Sequence, residues 1–170
     1  MTLLRSFFLT GALLLAGTAC ATDVRMAGGE VAFSTPDNWV TIMETQGLPE
    51  MRVFQVPDPS PTARDNLASV TVEVEPVGDL AAFARYVDNA TRKAKALDGY
   101  RAIGTPEGPN SHAYAAQDHG TAYHYDERYW FKNNHAVRLR CARPARSEAG
   151  AAWTAAFDKG CDAVAADLAR

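Results

Sequence analysis

The residues of this chain best suited to chemistry are four histidines and a scatter of carboxylates. His119 and His124 stand close to Asp118 and Asp126 in one loop-and-strand region, with His112 and His135 on either side. Imidazole and carboxylate together can ligate a divalent metal. This spacing matches no metal motif, so the expectation is surface histidines and no metal. No serine lies in a Gly-x-Ser-x-Gly elbow, and no Gly-rich phosphate loop follows a strand. Asp126 and Glu127 are adjacent on an extended segment, face opposite ways and make a poor acid/base pair. Neither a catalytic residue nor a cofactor is expected from this set.

The cysteines point to an address. Met1 to Arg5 is a short positive start, Phe7 to Ala16 is apolar, and small residues follow from Gly17 to Ala21. That is the pattern of a secretory signal peptide over residues 1–21, with an apolar run too short for a stable membrane span. Ala19-Cys20-Ala21 fits ordinary cleavage, with a mature domain over residues 22–170. Alternatively, Cys20 is the lipid-carrying cysteine of a bacterial lipoprotein, although Gly17 stands where such signals usually carry Leu. Ordinary cleavage is preferred and puts the domain in the periplasm or outside the cell. Lipidation at Cys20 would tether it to a membrane face.

Removing residues 1–21 takes away Arg5 and no acid, so 17 basic side chains become 16 against 20 acidic ones, a formal charge of −4. Nucleic-acid binding, which usually wants a strongly basic domain, is not expected. Cys141 and Cys161 remain, and two cysteines in an oxidising compartment usually pair. Cys141 ends a strand and Cys161 lies on the apolar stripe of a C-terminal helix. A disulfide between them would contribute about 3 kcal/mol through loop-closure entropy.

The elements that position these residues centre on Tyr123 to Cys141. Two extended segments flank Asn133-Asn134, and Asn tolerates the positive φ of a tight hairpin turn. Odd positions of both segments (Tyr123, Tyr125, Tyr129, Phe131, Val137, Leu139, Cys141) are mostly apolar, and even positions mostly polar. Period two then predicts one face carrying Arg128, Trp130, Lys132, Arg138 and Arg140. An exposed Trp among guanidinium groups would anchor an anionic partner or a protein surface. Two rival readings bury that face under the mid-chain helix or pair its arginines with Glu73 and Glu75 across the sheet.

Strands are predicted around Val24–Met26, Val31–Ser34, Trp39–Met43, Met51–Val56, Ala68–Val77, Tyr100–Ile103 and His112–Gln117. Asp79 caps a helix to Leu97 with its apolar stripe at Leu80, Phe83, Val87, Ala90, Ala94 and Leu97. A final helix follows Ser147, with Trp153, Phe157, Cys161, Val164 and Leu168 on one side. Pro57 to Asn66 is an exposed loop, mobile or used for binding, and its Asp58 and Asp65 could enter a partner's cleft. Strands, a helix, strands and a helix joined by short turns make the α+β class, a mostly antiparallel sheet flanked by two main helices.

The run Val31-Ala32-Phe33-Ser34-Thr35-Pro36-Asp37-Asn38-Trp39, the mid-chain helix from Asp79, and the Tyr129-Trp130-Phe131-Lys132 hairpin before a terminal helix resemble the Mog1/PsbP-like and DcrB-like group. The resemblance covers about Val24 to Leu168 and rests on packing residues. It implies an antiparallel sheet flanked by helices, and binding, assembly or adaptor work rather than catalysis; it carries no catalytic residues. Three functions follow as expectations: a non-catalytic envelope adaptor acting on a protein partner, a periplasmic immunity protein that inhibits a secreted toxin enzyme, or a small-ligand binder or enzyme using a pocket between sheet and helix.

Overall fold

The computed structural model describes residues 21–106 and 108–170. The expected export signal, including Cys20, lies outside the described residues except for Ala21, which opens the first strand. β1 (Ala21–Met26) and β2 (Val31–Pro36) form a small antiparallel sheet. Seven strands make the main sheet: β3 (Val40–Thr45), β4 (Glu50–Gln55), β5 (Ser69–Pro76), β6 (Arg101–Ala102), β7 (Ser111–Asp118), β8 (Thr121–Lys132) and β9 (His135–Pro144). Their order is β3-β4-β5-β9-β8-β7-β6, antiparallel throughout, so the hairpin β8–β9 does sit in the middle. Helix α1 (Leu80–Lys95) follows β5 and helix α2 (Gly150–Leu168) ends the chain. This is the α+β architecture expected from the element order.

The hairpin turn decides which side chains share a face. Asn133 and Asn134 have φ of 48° and 59°, the left-handed pair a tight hairpin turn requires. A turn of two residues pairs Lys132 with His135, and from there every odd position of β8 faces an even position of β9. Tyr129 therefore stands beside Arg138, and Arg128 beside Leu139. The expected single face of Arg128, Trp130, Lys132, Arg138 and Arg140 does not exist. Arg138 and Arg140 lie on one side of the sheet and Arg128, Trp130 and Lys132 on the other.

The α2 face is closed. Val70, Val72, Val74, Val137, Leu139 and Cys141 are all 3% exposed or less and pack against Phe157, Cys161, Val164 and Leu168 of α2, with Met26, Val31 and Phe33 of the small sheet beside them. Cys141 and Cys161 are disulfide-bonded, with their Cα atoms 6.4 Å apart. The run from Phe33 to Trp39 has a packing role here. Phe33 meets Phe54 edge-on at 6.0 Å between ring centroids, and Trp39 lies 6.4 Å from the same ring. Trp39 also explains a glycine inside α2, because a Cβ on Gly160 would come within 2.7 Å of Trp39 Cζ2.

The α1 face is covered over part of its width. Asp79 caps α1 by accepting from the Ala82 amide at 2.7 Å. Phe83 and Ala90 pack on Tyr129 and Ala136, and Ala94 packs on Tyr114, Tyr123 and Tyr125. The helix thus lies over β7, β8 and β9. Leu80, expected in its apolar stripe, is 66% exposed because it precedes the first turn that reaches the sheet.

Candidate functional site

The cross-strand register gives the α1 face three rows, each running from the β3 edge to beneath the helix. One is Val40–Gln55–Ser69–Ala142–Tyr125–Tyr114, the next Met43–Val53–Thr71–Arg140–Glu127–His112, the third Thr45–Met51–Glu73–Arg138–Tyr129. Each begins among apolar or small polar side chains and ends in aromatic and charged ones.

Beneath and beside the helix the charged ends close on one another. Glu127 is 3% exposed. Tyr114 donates to Glu127 Oε1 at 2.8 Å, Tyr129 donates to Oε2, and Arg140 Nε stands 3.2 Å from Oε1. Burial, and then the Glu127 charge, push both tyrosine hydroxyls well above their ordinary pKa, so they remain donors. His112 stacks between Tyr114 and Tyr129, at 5.6 and 5.8 Å, with Nε2 3.8 Å from Glu127 Oε2. Burial holds its pKa below the usual value against the pull of Glu127. The Arg140 guanidinium lies 4.6 Å above the Tyr125 ring. One row over, Arg138 donates to Glu73 Oε2 at 2.8 Å and Tyr86 of α1 donates to Glu73 Oε1 at 2.6 Å. These groups neutralise one another. Both oxygens of Glu127 already accept from tyrosines, so the cluster orders α1 on the sheet and presents no free carboxylate.

Beside α1 the same face lies open. A cleft of about 690 Å³ separates the helix from β5, lined by Glu73, Glu75, Arg138, Tyr86, Arg85 and Lys93 among others. Past it toward the edge, Val40 is 54% exposed, Ile42 45% and Met43 50%, with Met51 and Val53 half-buried between. The apolar side chains of α1 pack on β7, β8 and β9, and Tyr86 reaches β5 through Glu73. Leu48, in the β3–β4 turn, is 81% exposed.

The opposite face carries a smaller cleft of about 270 Å³ between α2 and the β6–β7 connection, lined by His124, Asp126, Arg128, Arg143, Asp158 and Asp162 with the disulfide. Here too the charges are paired. Arg128 reaches Asp126 Oδ2 at 2.7 Å and Asp162 Oδ1 at 2.6 Å, and Arg143 Nε reaches Asp158 Oδ1 at 2.9 Å. Burial and the charge of Arg143 keep the His124 pKa low. Among the described residues no three of His, Cys, Asp and Glu gather as metal ligands.

No family model and no curated protein matches this sequence. Solved structures do. The Ran-binding protein Mog1p of Saccharomyces cerevisiae superposes with a TM-score of 0.51 at 13% identity, over 89% of this chain and 92% of that one. LpqN of Mycobacterium tuberculosis, described as involved in cell envelope biogenesis, gives 0.49 at 15% identity over 87% and 88%. The protein PA94 of Pseudomonas aeruginosa gives 0.45 at 17% identity over 74% and 83%. The yeast structure settles the fold. This chain has the Mog1/PsbP-like fold.

On the Mog1-like sheet the residues singled out for partner binding are scattered. Arg138 and Arg140 are held by Glu73 and Glu127, as the cross-sheet ion-pair reading had it for Glu73. Trp130 is half-buried against the α2 core, and Arg128 bridges to α2. Lys132 lies at the hairpin end, half-buried on the rim of a shallow depression shared with Asp23, Ser34 and Arg170. Asp65 is exposed, but Asp58 is only 9% exposed and is fully engaged. It accepts from the Ser60 amide at 2.8 Å, from Ser60 Oγ at 2.6 Å and from Ser147 Oγ at 2.5 Å. Trp153 Nε1 donates to the Pro57 carbonyl at 2.8 Å and the Glu148 amide to Thr62 Oγ1 at 3.1 Å. The Pro57–Asn66 segment is therefore stitched to the start of α2, and Asp58 cannot enter a partner's cleft without releasing that seam. The open part of the sheet was missed. Its signal was present in Val40, Ile42 and Met43, an apolar cluster that stays exposed among the described residues.

Proposed function

We propose that this chain is a protein-binding module of an oxidising envelope or extracellular compartment, docking through the open β3–β5 part of the sheet. The observation that carries the reading is the exposure of Val40, Ile42 and Met43 together on one edge, beside half-buried Met51 and Val53. Clustered exposed apolar side chains mark interaction surfaces, whereas isolated ones need no explanation. Methionine adapts to varied partner shapes. The Cys141–Cys161 disulfide supports the compartment, since such bonds persist where thiols are not kept reduced. The yeast protein of this fold is named for binding Ran, a precedent for a protein-binding surface on this scaffold. The adaptor reading is preferred to the immunity one, whose acidic loop lies folded down with Asp58 buried.

A photo-crosslinking residue at Val53 tests this in cells that make the protein. The expected result is one discrete heavier species, lost on Met43→Asp while thermal stability is unchanged. The reading is overturned if Met43→Asp leaves the species intact, or if a crosslinker at Lys159 on α2 yields the same species.

A further inference from the structure

We infer that the occupant of the open part of the sheet is an amphipathic helix of a partner protein with acidic residues along its flank, lying beside α1. This rests on the docking surface proposed above and adds the chemistry of the partner. Three observations carry it.

Width comes first. Strands lie about 4.8 Å apart, so β3, β4 and the part of β5 that Tyr86 does not reach offer roughly 10–14 Å of sheet beside α1. An α-helix with its side chains is about 10 Å across. One further helix fits beside α1, and it would complete a second layer that the chain supplies only in part.

The edge comes second. An extended partner strand could add to β3, the outer strand of the sheet. The register of β3 on β4 shifts between Thr41 and Met43, placing a bulge at Ile42. A bulge disrupts the ladder and bends an edge away from strand addition. It leaves Ile42 and Met43 as side-chain contacts, which suits a helix on the face better than a strand on the edge.

Charge is third. Arg85, Asn89 and Lys93 stand at i, i+4 and i+8, one row along α1, and all three line the cleft. Neither Arg85 nor Lys93 has an ion-pair partner among the described residues. Arg138 lines the same cleft, and its Nε is buried without a hydrogen-bond partner. Against these stand Glu73, already engaged by Arg138 and Tyr86, and Glu75. A chain with net charge −3 thus turns two unpaired cations toward its open groove. A second copy docking symmetrically would set its own Arg85 and Lys93 rows near these, which disfavours that occupant. A segment with apolar residues over Met43, Met51 and Val53 and carboxylates along Arg85 and Lys93 satisfies both surfaces.

The test uses the full mature chain and two synthetic 18-residue helices, each with one leucine stripe, flanked by glutamates in one and by lysines in the other. Fluorescence anisotropy should show the glutamate peptide binding at least tenfold tighter at low salt, with the advantage shrinking as salt rises. The double variant Arg85→Glu with Lys93→Glu should reverse the preference, while Lys159→Glu leaves it. If both peptides bind equally and Met43→Asp abolishes both, the docking surface stands and the acidic partner is overturned. If neither peptide binds, both readings fall. A dimer by sedimentation that Met43→Asp dissociates would also overturn the inference, by naming a second copy as the occupant.

Discussion

The two faces of the sheet solve different problems with the same strands. Along β9, Val137, Leu139 and Cys141 point to α2 and are sealed by valines, leucine, phenylalanine and a disulfide. The alternating residues Arg138 and Arg140 point to the α1 side and are neutralised by Glu73 and Glu127. The first face is an apolar core whose strength scales with the area it hides. The second holds α1 through tyrosine hydroxyls and buried ions, which contribute less net stability but accept few alternative arrangements. A directional seam of that kind fixes where α1 sits and so defines the groove beside it. The closed face keeps the domain folded; the half-open face has surface left to give to another molecule.

That contrast is most severely tried at Glu127. Replacing it with Ala would leave two tyrosine hydroxyls and the Arg140 guanidinium facing one another in a site 3% exposed. Breaking a buried ionic cluster from one side costs about 3–5 kcal/mol, to be read from urea unfolding. Glu127→Gln keeps an acceptor and should cost less. A loss below about 1 kcal/mol for Glu127→Ala would mean that the seam under α1 is not what holds the helix.

On the closed face the comparable change is opening the disulfide. The Cys141–Cys161 link spans 20 residues, and Cys161→Ser should cost about 3 kcal/mol by loop-closure entropy. Denatured protein without reductant should offer neither Cys141 nor Cys161 to a thiol label. Labelling at both would remove the staple from the description of this face. A loss in Cys161→Ser that leaves binding at the open groove unchanged would sharpen the division of labour between the two sides.

Much of this is legible in the sequence. Strand and helix positions followed from periodicity and caps, and Asp79 caps α1 as its spacing implied. The disulfide followed from an expected export signal and the two cysteines that lie beyond it. The face assignment failed at one physical point. Counting odd and even straight through Asn133-Asn134 ignores that a two-residue turn pairs unlike parities, so Arg138 changes sides relative to Arg128. Burial of Asp58 was illegible for another reason, since its partner Ser147 lies 89 residues away. Nothing local marks such a contact. The extent of α1's cover was hidden likewise, because periodicity says which side of a helix is apolar and not which strands it will lie over.

Asp58 supplies the smallest effect and separates the faces by pH. Burial works against its charge, but hydrogen bonds from Ser147 and Ser60 win and hold the carboxyl below its ordinary value. A carboxyl depressed in the folded state stabilises the fold above its unfolded pKa of about 3.9, and that stability is lost as pH falls through the lower folded value. Asp58→Ala should therefore cost about 1.5–3 kcal/mol at neutral pH, the range for hydrogen bonds to a charged acceptor. The gap between variant and wild type should shrink as pH falls below the unfolded value. The loop should loosen from the start of α2 in the variant at every pH, and amide exchange at Ser60 and Ala149 reports that directly. The α1 side answers acid in a different window: its tyrosines titrate only far above neutrality, while His112, held by burial below its ordinary value, begins to cost stability as pH falls below that ordinary value of about 6.5, before Asp58 does. A variant gap that stays constant down to strong acid would show that the charge on Asp58 is not what fastens the loop. The segment would then regain its standing as a candidate for binding on the closed side of the molecule.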